Sequence, residues 1–137
     1  MTLNLNEKLE ENFALHEFLH LPQWGIYVVP TDEQYNNLKY LASKLQLIRN
    51  YMKAPMRITS GLRPDLYNKK IGGAPFSSHR LGRAADFMVK GMHSKYVREK
   101  LESKLITLGL RMENLDTPHV HVDTSIPQDG GNYYFRP

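Results

Sequence analysis

Residues 77–89 read Ser77-Ser78-His79-Arg80-Leu81-Gly82-Arg83-Ala84-Ala85-Asp86-Phe87-Met88-Val89, and residues 119–123 read His119-Val120-His121-Val122-Asp123. The second stretch alternates polar and apolar side chains, the period of a strand. It places His119, His121 and Asp123 on one face and both valines on the other. In the first stretch, residues 84–89 read as a buried strand interrupted by a carboxylate. An unpaired charge among Ala, Phe, Met and Val is costly, so Asp86 needs a cation, a set of hydrogen bonds or an exposed strand end. A helix cap or an ion pair with Arg80 or Arg83 would serve, and so would a metal. Zinc takes about four ligands, of which a catalytic site draws three from the protein and leaves one position for water. His79, Asp86 and His121 meet that count, and two neutral imidazoles with one carboxylate leave the ion net positive, able to acidify water and polarise a carbonyl. His16, His20 and His93 lack such a setting and read as ordinary surface or packing residues.

Outward from these stretches, the pattern predicts the rest of the fold. Thr31 reads as the cap of a long amphipathic helix from Asp32 to near Met52, with Leu38, Leu41, Leu45 and Ile48 at helical spacing. Pro55 closes it, and Met56-Arg57-Ile58-Thr59 reads as a strand ending at Ser60-Gly61. A short helix starts at Pro64 and stops at Gly72-Gly73, and residues 74–83 read as loop. Ser94 reads as the cap of a second amphipathic helix, which turns Tyr96, Val97, Leu101, Leu105 and Leu108 inward and ends at Gly109. Residues 110–113 and 119–124 complete the sheet. This order predicts an α+β fold with an antiparallel sheet and helices packed on one side.

The whole chain of 137 residues, 41% hydrophobic and 23% charged, reads as one domain spanning 1–137, with a loose start and a flexible tail from about 125 to 137. No repeat or low-complexity tract divides it. The absence of cysteine excludes a disulfide scaffold, a thiolate zinc site, an iron–sulfur cluster and a cysteine nucleophile. A net charge of +4 favours acidic partners without selecting among them. No apolar run approaches the roughly 20 residues of a membrane span, and residues 1–11 alternate Leu with Asn, Lys and Glu where a secretory segment would be apolar. The expectation is synthesis in the cytoplasm, no membrane insertion, and delivery by other means if the protein acts outside the cell membrane.

Three blocks taken together resemble the zinc D-Ala-D-Ala carboxypeptidase family. These are Ile58-Thr59-Ser60-Gly61-Leu62-Arg63-Pro64 through Asn68 with Gly72-Gly73-Ala74-Pro75, then Ser77-x-His79-x-x-Gly82-x-Ala84-x-Asp86, then the late H-x-H strand. The resemblance covers residues 58–123, and residues 12–18 look like the opening of small phage-borne members. It implies a hedgehog-like α+β fold and zinc held by His79, Asp86 and His121. His119 would lie beside the water as base or transition-state stabiliser. A variant pattern, acid-x-x-His, would instead make His119 the ligand and Asp116 the base; the ending His121-Val122-Asp123 favours His121 as ligand. Arg63 would clamp a peptide carboxylate or a developing oxyanion. Ser77 and Asn68 would join it in substrate binding, and Asp123 would orient an imidazole. Leu62 departs from the aromatic residue usual at its position.

The activity implied is a zinc-dependent hydrolysis of peptidoglycan stem peptides, either as a D,D-carboxypeptidase or as an L-alanyl-D-glutamate endopeptidase. The lack of a secretory segment, the small single domain and the phage-like opening point to a lytic enzyme of a phage or prophage, reaching the wall after holin release or within a virion; a monomer is expected. Two other readings compete. If His119 were a fourth ligand, the site would be closed, and the chain would be a non-catalytic zinc-binding virion module. Tyr133, Tyr134 and Phe135 beside Arg136 would suit a nucleic-acid binder. No basic stripe accompanies them, and no nucleic-acid partner is expected.

Overall fold

The computed structural model describes residues 3–127 and 131–137. In chain order these form strands β1 (Lys8–Glu10) and β2 (Phe13–Ala14), helix α1 (His16–Leu19), strands β3 (His20–Leu21) and β4 (Ile26–Tyr27), and helix α2 (Asp32–Met52). Strand β5 (Met56–Ser60), helix α3 (Asp65–Lys70), a 3-10 turn (Ser78–Leu81) and strand β6 (Ala84–Val89) follow. Helices α4 (Ser94–Glu102) and α5 (Leu105–Leu108) then lead to strands β7 (Arg111–Glu113), β8 (Val120–Asp123) and β9 (Tyr134–Phe135). Among the described residues no helix is long and apolar enough to cross a membrane.

Helix α2 begins where the sequence places it. Thr31 Oγ1 accepts from the Gln34 N–H, and Gln34 Oε1 accepts from the Thr31 N–H, so two otherwise unpaired donors of the first turn are satisfied reciprocally. Leu38, Leu41, Leu45 and Ile48 are buried on its inner stripe. They pack against one face of a five-stranded sheet in the order β5-β6-β8-β7-β9. That inner face carries Ala85, Phe87, Met112, Val120 and Val122, all buried. Period-two alternation then turns Asp86 and His121 to the opposite face, and the β6–β8 register sets them directly across from each other. Ser60 pairs with Asp86 from the other side.

Five details differ from the sequence reading. The start is ordered: β1 and β2 pair, β3 and β4 pair, and Phe13, Leu15, Phe18, Leu19 and Leu21 enter the core. These elements are two to four residues long, too short for periodicity to register. Part of the expected flexible tail is also ordered, because β9 pairs in parallel with β7 and makes the sheet mixed; residues 128–130 lie outside the described residues. The second helix divides into α4 and α5 near Ser103 and Lys104, although its leucine pattern runs on. His93, not Ser94, caps α4, through Nδ1 and the Lys95 N–H, and Tyr96 faces solvent at 47% exposure beside Lys100.

The 3-10 turn ends at Gly82, whose φ of +74° lies in the left-handed region and whose added Cβ would stand 2.8 Å from the Gln34 carbonyl oxygen. Gly82→Ala combines backbone strain with a clash against α2. We expect a loss of about 1–3 kcal/mol in urea unfolding, and an unchanged midpoint would refute this account of the turn.

Candidate active site

His79 comes from the 3-10 turn, Asp86 from the middle of β6 and His121 from β8, and one potential ligand atom from each lies within 4.8 Å of the others. Each imidazole has its far nitrogen tied. His79 Nδ1 lies 2.8 Å from the Gly61 carbonyl oxygen, which can only accept, so Nδ1 carries the proton and Nε2 is left with a lone pair. His121 Nε2 lies 2.9 Å from Asp123 Oδ2, and Asp123 is held in turn by two hydrogen bonds from Arg111, at 2.7 and 3.0 Å. The near nitrogens converge on one oxygen: His79 Nε2 is 3.3 Å and His121 Nδ1 3.1 Å from Asp86 Oδ1. Ligands about 2.0–2.1 Å from zinc at tetrahedral angles stand roughly 3.3 Å apart, so the three residues fit that ion in type and spacing.

The electrostatics agree with this tying. Burial alone would raise the Asp86 carboxyl, but the hydrogen bond donated by His121 and the polar contact with His79 hold it far below the usual carboxylate range. Burial opposes charge on His121, yet its hydrogen bonds to Asp123 and Asp86 push it up to about 9. His79 is buried more deeply and moves down, against a smaller opposing pull from Asp86. Asp123 would be raised by burial, but His121 and Arg111 keep it below its ordinary value. Asp86 is thus an anion at neutral pH, and its charge partner from the neighbouring loop is Arg63, not Arg80 or Arg83.

Arg63 lies against Asp86 with its guanidinium engaged on three sides. Nε donates to Ser60 Oγ at 2.8 Å, one terminal nitrogen to Asn68 Oδ1 at 3.5 Å and the other to Asp86 Oδ2 at 3.1 Å. A guanidinium has five N–H donors, so two remain for a substrate. Asn68 is buried and also donates to the Ala74 carbonyl, anchoring the loop that precedes the 3-10 turn. Ser77 Oγ accepts from the His79 N–H and caps that turn, while among the described residues its own proton has no acceptor. Arg63 opens on a cleft of about 270 Å³, which Thr59, Ser60, Asp86, His119 and residues 20–23 also line. His119 is exposed in this cleft, with Nδ1 3.0 Å from Thr59 Oγ1. Asp116 is not brought there: its side chain is 96% exposed and its nearest cation is Arg98, at 3.9 Å.

A model of the peptidase M15 family matches residues 15–123, from the end of the first hairpin to the last residue of β8. The chain belongs to the peptidase M15 family. As an M15 peptidase it is a hydrolase, and the matched span contains His79, Asp86, His121 and Arg63. A search of curated proteins finds no match. Among solved structures the fold is similar to that of the Serratia marcescens L-Ala D-Glu endopeptidase ChiX, with a TM-score of 0.48 and 17% identity, over 72% of this chain and 90% of that one.

Several groups of this M15 site carried no sequence signal. Glu113 Oε1 lies 3.9 Å from His121 Nδ1, and Arg111 on the same strand grips Asp123. Their alternation about buried Met112 marks one strand face, but only the pairing of β7 with β8 turns that face to the cluster. Arg98 of α4 is buried and donates to the carbonyls of Thr117 and His119, at 3.2 and 3.3 Å, which fixes the segment presenting His119.

Proposed function

We propose that this chain is a zinc-dependent peptidase that cleaves the stem peptides of peptidoglycan. The observation that carries it is the convergence of two imidazoles, each with its far nitrogen tied, on one half-buried carboxylate beside an open cleft. In this reading His79, Asp86 and His121 hold zinc, which supplies Lewis-acid polarisation of a peptide carbonyl and acidification of water. Gly61 and Asp123 fix the two rings, and Arg111 fixes Asp123. Arg63 keeps the second oxygen of Asp86 oriented and turns its two remaining N–H groups to the carbonyl or carboxylate of the substrate. Ser77 donates its hydroxyl proton to the substrate, and Asn68 holds Arg63 in place.

His119 takes and returns the proton, its ring positioned by Thr59 and its backbone by Arg98. Glu113 is the second group placed to do so, because of its 3.9 Å approach to His121. That three residues, and no fourth among the described residues, supply converging ligand atoms favours an open coordination site over the closed site of a non-catalytic virion module. The motif resemblance supports peptidoglycan as substrate and a phage or prophage lytic enzyme acting at the wall. The bond cut is that of a D,D-carboxypeptidase or of an L-alanyl-D-glutamate endopeptidase.

Digestion of purified peptidoglycan, with and without a chelator, tests this. Mass analysis is expected to find released fragments only without the chelator, and restored by zinc. Free D-alanine would identify a carboxypeptidase, and new alanine–glutamate termini an endopeptidase. Fragment release untouched by complete metal removal would end the proposal.

A further inference from the structure

Across Asn68 from the cleft lies a second hollow of about 380 Å³, lined by Asp65, Asn68, Lys69, Gly73, Pro75 and Arg80. We propose that this hollow is an anion subsite, taking a carboxylate carried by the substrate one to three residues from the bond that is cut. The proposal rests on the peptidase reading above and adds a second place for substrate charge, beyond the one at Arg63.

Two cations face one anion here. Lys69 is exposed, and Arg80 is partly buried with one terminal nitrogen 3.1 Å from Asp65 Oδ1, while the Asp65 side chain itself is 78% exposed. Arg80 Nε is buried and, among the described residues, has no hydrogen-bond partner. That atom is enclosed by the protein, but the Arg80 side chain as a whole is 24% exposed, and among the described residues only one of its terminal nitrogens is engaged, on Asp65; the planar fork of a guanidinium matches the two oxygens of a carboxylate. Arg63 already has three of its donors engaged, on Ser60, Asn68 and Asp86. A second substrate carboxylate therefore finds its less committed cations at Lys69 and Arg80.

The hollow is also in line with the chemistry. Asp86 touches Arg63, Arg63 touches Asn68, and Asn68 lines the hollow, a path of three side chains. Gly73 forms part of the wall, where an added Cβ would fall 2.0 Å from Asn68 Oδ1, so the backbone there is pressed against Asn68 with no side chain between. Stem peptides carry the matching group: a glutamyl residue joined through its γ-carboxyl keeps its α-carboxylate free.

The test compares γ-D-glutamyl-L-lysine with its glutamyl α-carboxamide, titrated by calorimetry into the full-length, zinc-supplemented chain. The unmodified protein is expected to bind the carboxylate about tenfold more tightly, as one charge-assisted contact allows. In Lys69→Gln/Arg80→Gln the preference should fall to within about twofold. Equal binding of the two peptides, no binding of either, or a preference that survives the double variant would overturn the subsite. Arg80 follows His79, so zinc content and circular dichroism accompany each variant. If the double variant does not fold, Lys69→Gln alone decides, with a loss of about threefold expected and full retention counting against the proposal. Peptidoglycan digestion separates the two readings. A preference without cleavage refutes the peptidase and leaves the subsite, whereas cleavage without a preference refutes the subsite alone.

Discussion

Asp86→Asn is expected to lose zinc and peptidase activity together. The substitution keeps the shape of the side chain and removes its charge. Asp86 Oδ1 is the atom on which His79 Nε2 and His121 Nδ1 converge, and Oδ2 faces Arg63. A neutral amide there cannot serve as an anionic ligand, and it leaves the Arg63 guanidinium without its counter-charge. Partners behind a metal ligand are worth about 10–100-fold in affinity or activity, so loss of the carboxylate ligand should exceed 100-fold in both. His79→Ala should do the same, because it deletes the ring that the Gly61 carbonyl holds in place. Metal content after dialysis and fragment release from peptidoglycan are the two measurements. A variant that keeps its zinc and still releases fragments would remove Asp86 from the metal centre.

Residues 84–89 and 119–123 are legible because alternation in a half-buried strand fixes which side chains share a face, and a carboxylate among apolar neighbours marks itself as needing a partner. The Thr31 capping box and the leucine stripe of α2 are local for the same reason, since every interaction that defines them lies within a few residues. What sequence cannot give is the order of strands. Glu113 and Arg111 reach the cluster only because β7 lies beside β8, and β9 joins on the far edge in parallel, a pairing between segments more than twenty residues apart. Helix periodicity also failed to mark the break between α4 and α5, because Leu101 and Leu105 are both buried and the apolar spacing is continuous across it. Arg80 and Arg83, near Asp86 in sequence, are not its partners, whereas Arg63, twenty-three residues away, is.

The choice between His119 and Asp116 turns on this kind of long-range placement. Both lie upstream of the strand residue that would bind metal, and spacing alone allows either to act on the proton. In the fold, His119 enters the cleft with Asp86 and Arg63, its ring hydrogen-bonded to Thr59, while Asp116 projects into solvent near Arg98. His119→Ala is therefore expected to keep its zinc and lose about 10²–10⁴-fold in kcat, the usual contribution of a positioned acid or base. Asp116→Ala should stay within about twofold of the unmodified enzyme, since an exposed ion pair contributes little. Loss of zinc in the His119 variant, with retention in His121→Ala, would exchange the two histidines and make His119 the ligand. Glu113→Gln completes the set, because Glu113 approaches His121 from β7. If turnover survives in His119→Ala and collapses in Glu113→Gln with zinc retained, the proton passes through the carboxylate, and His119 is left as a group that lines the cleft.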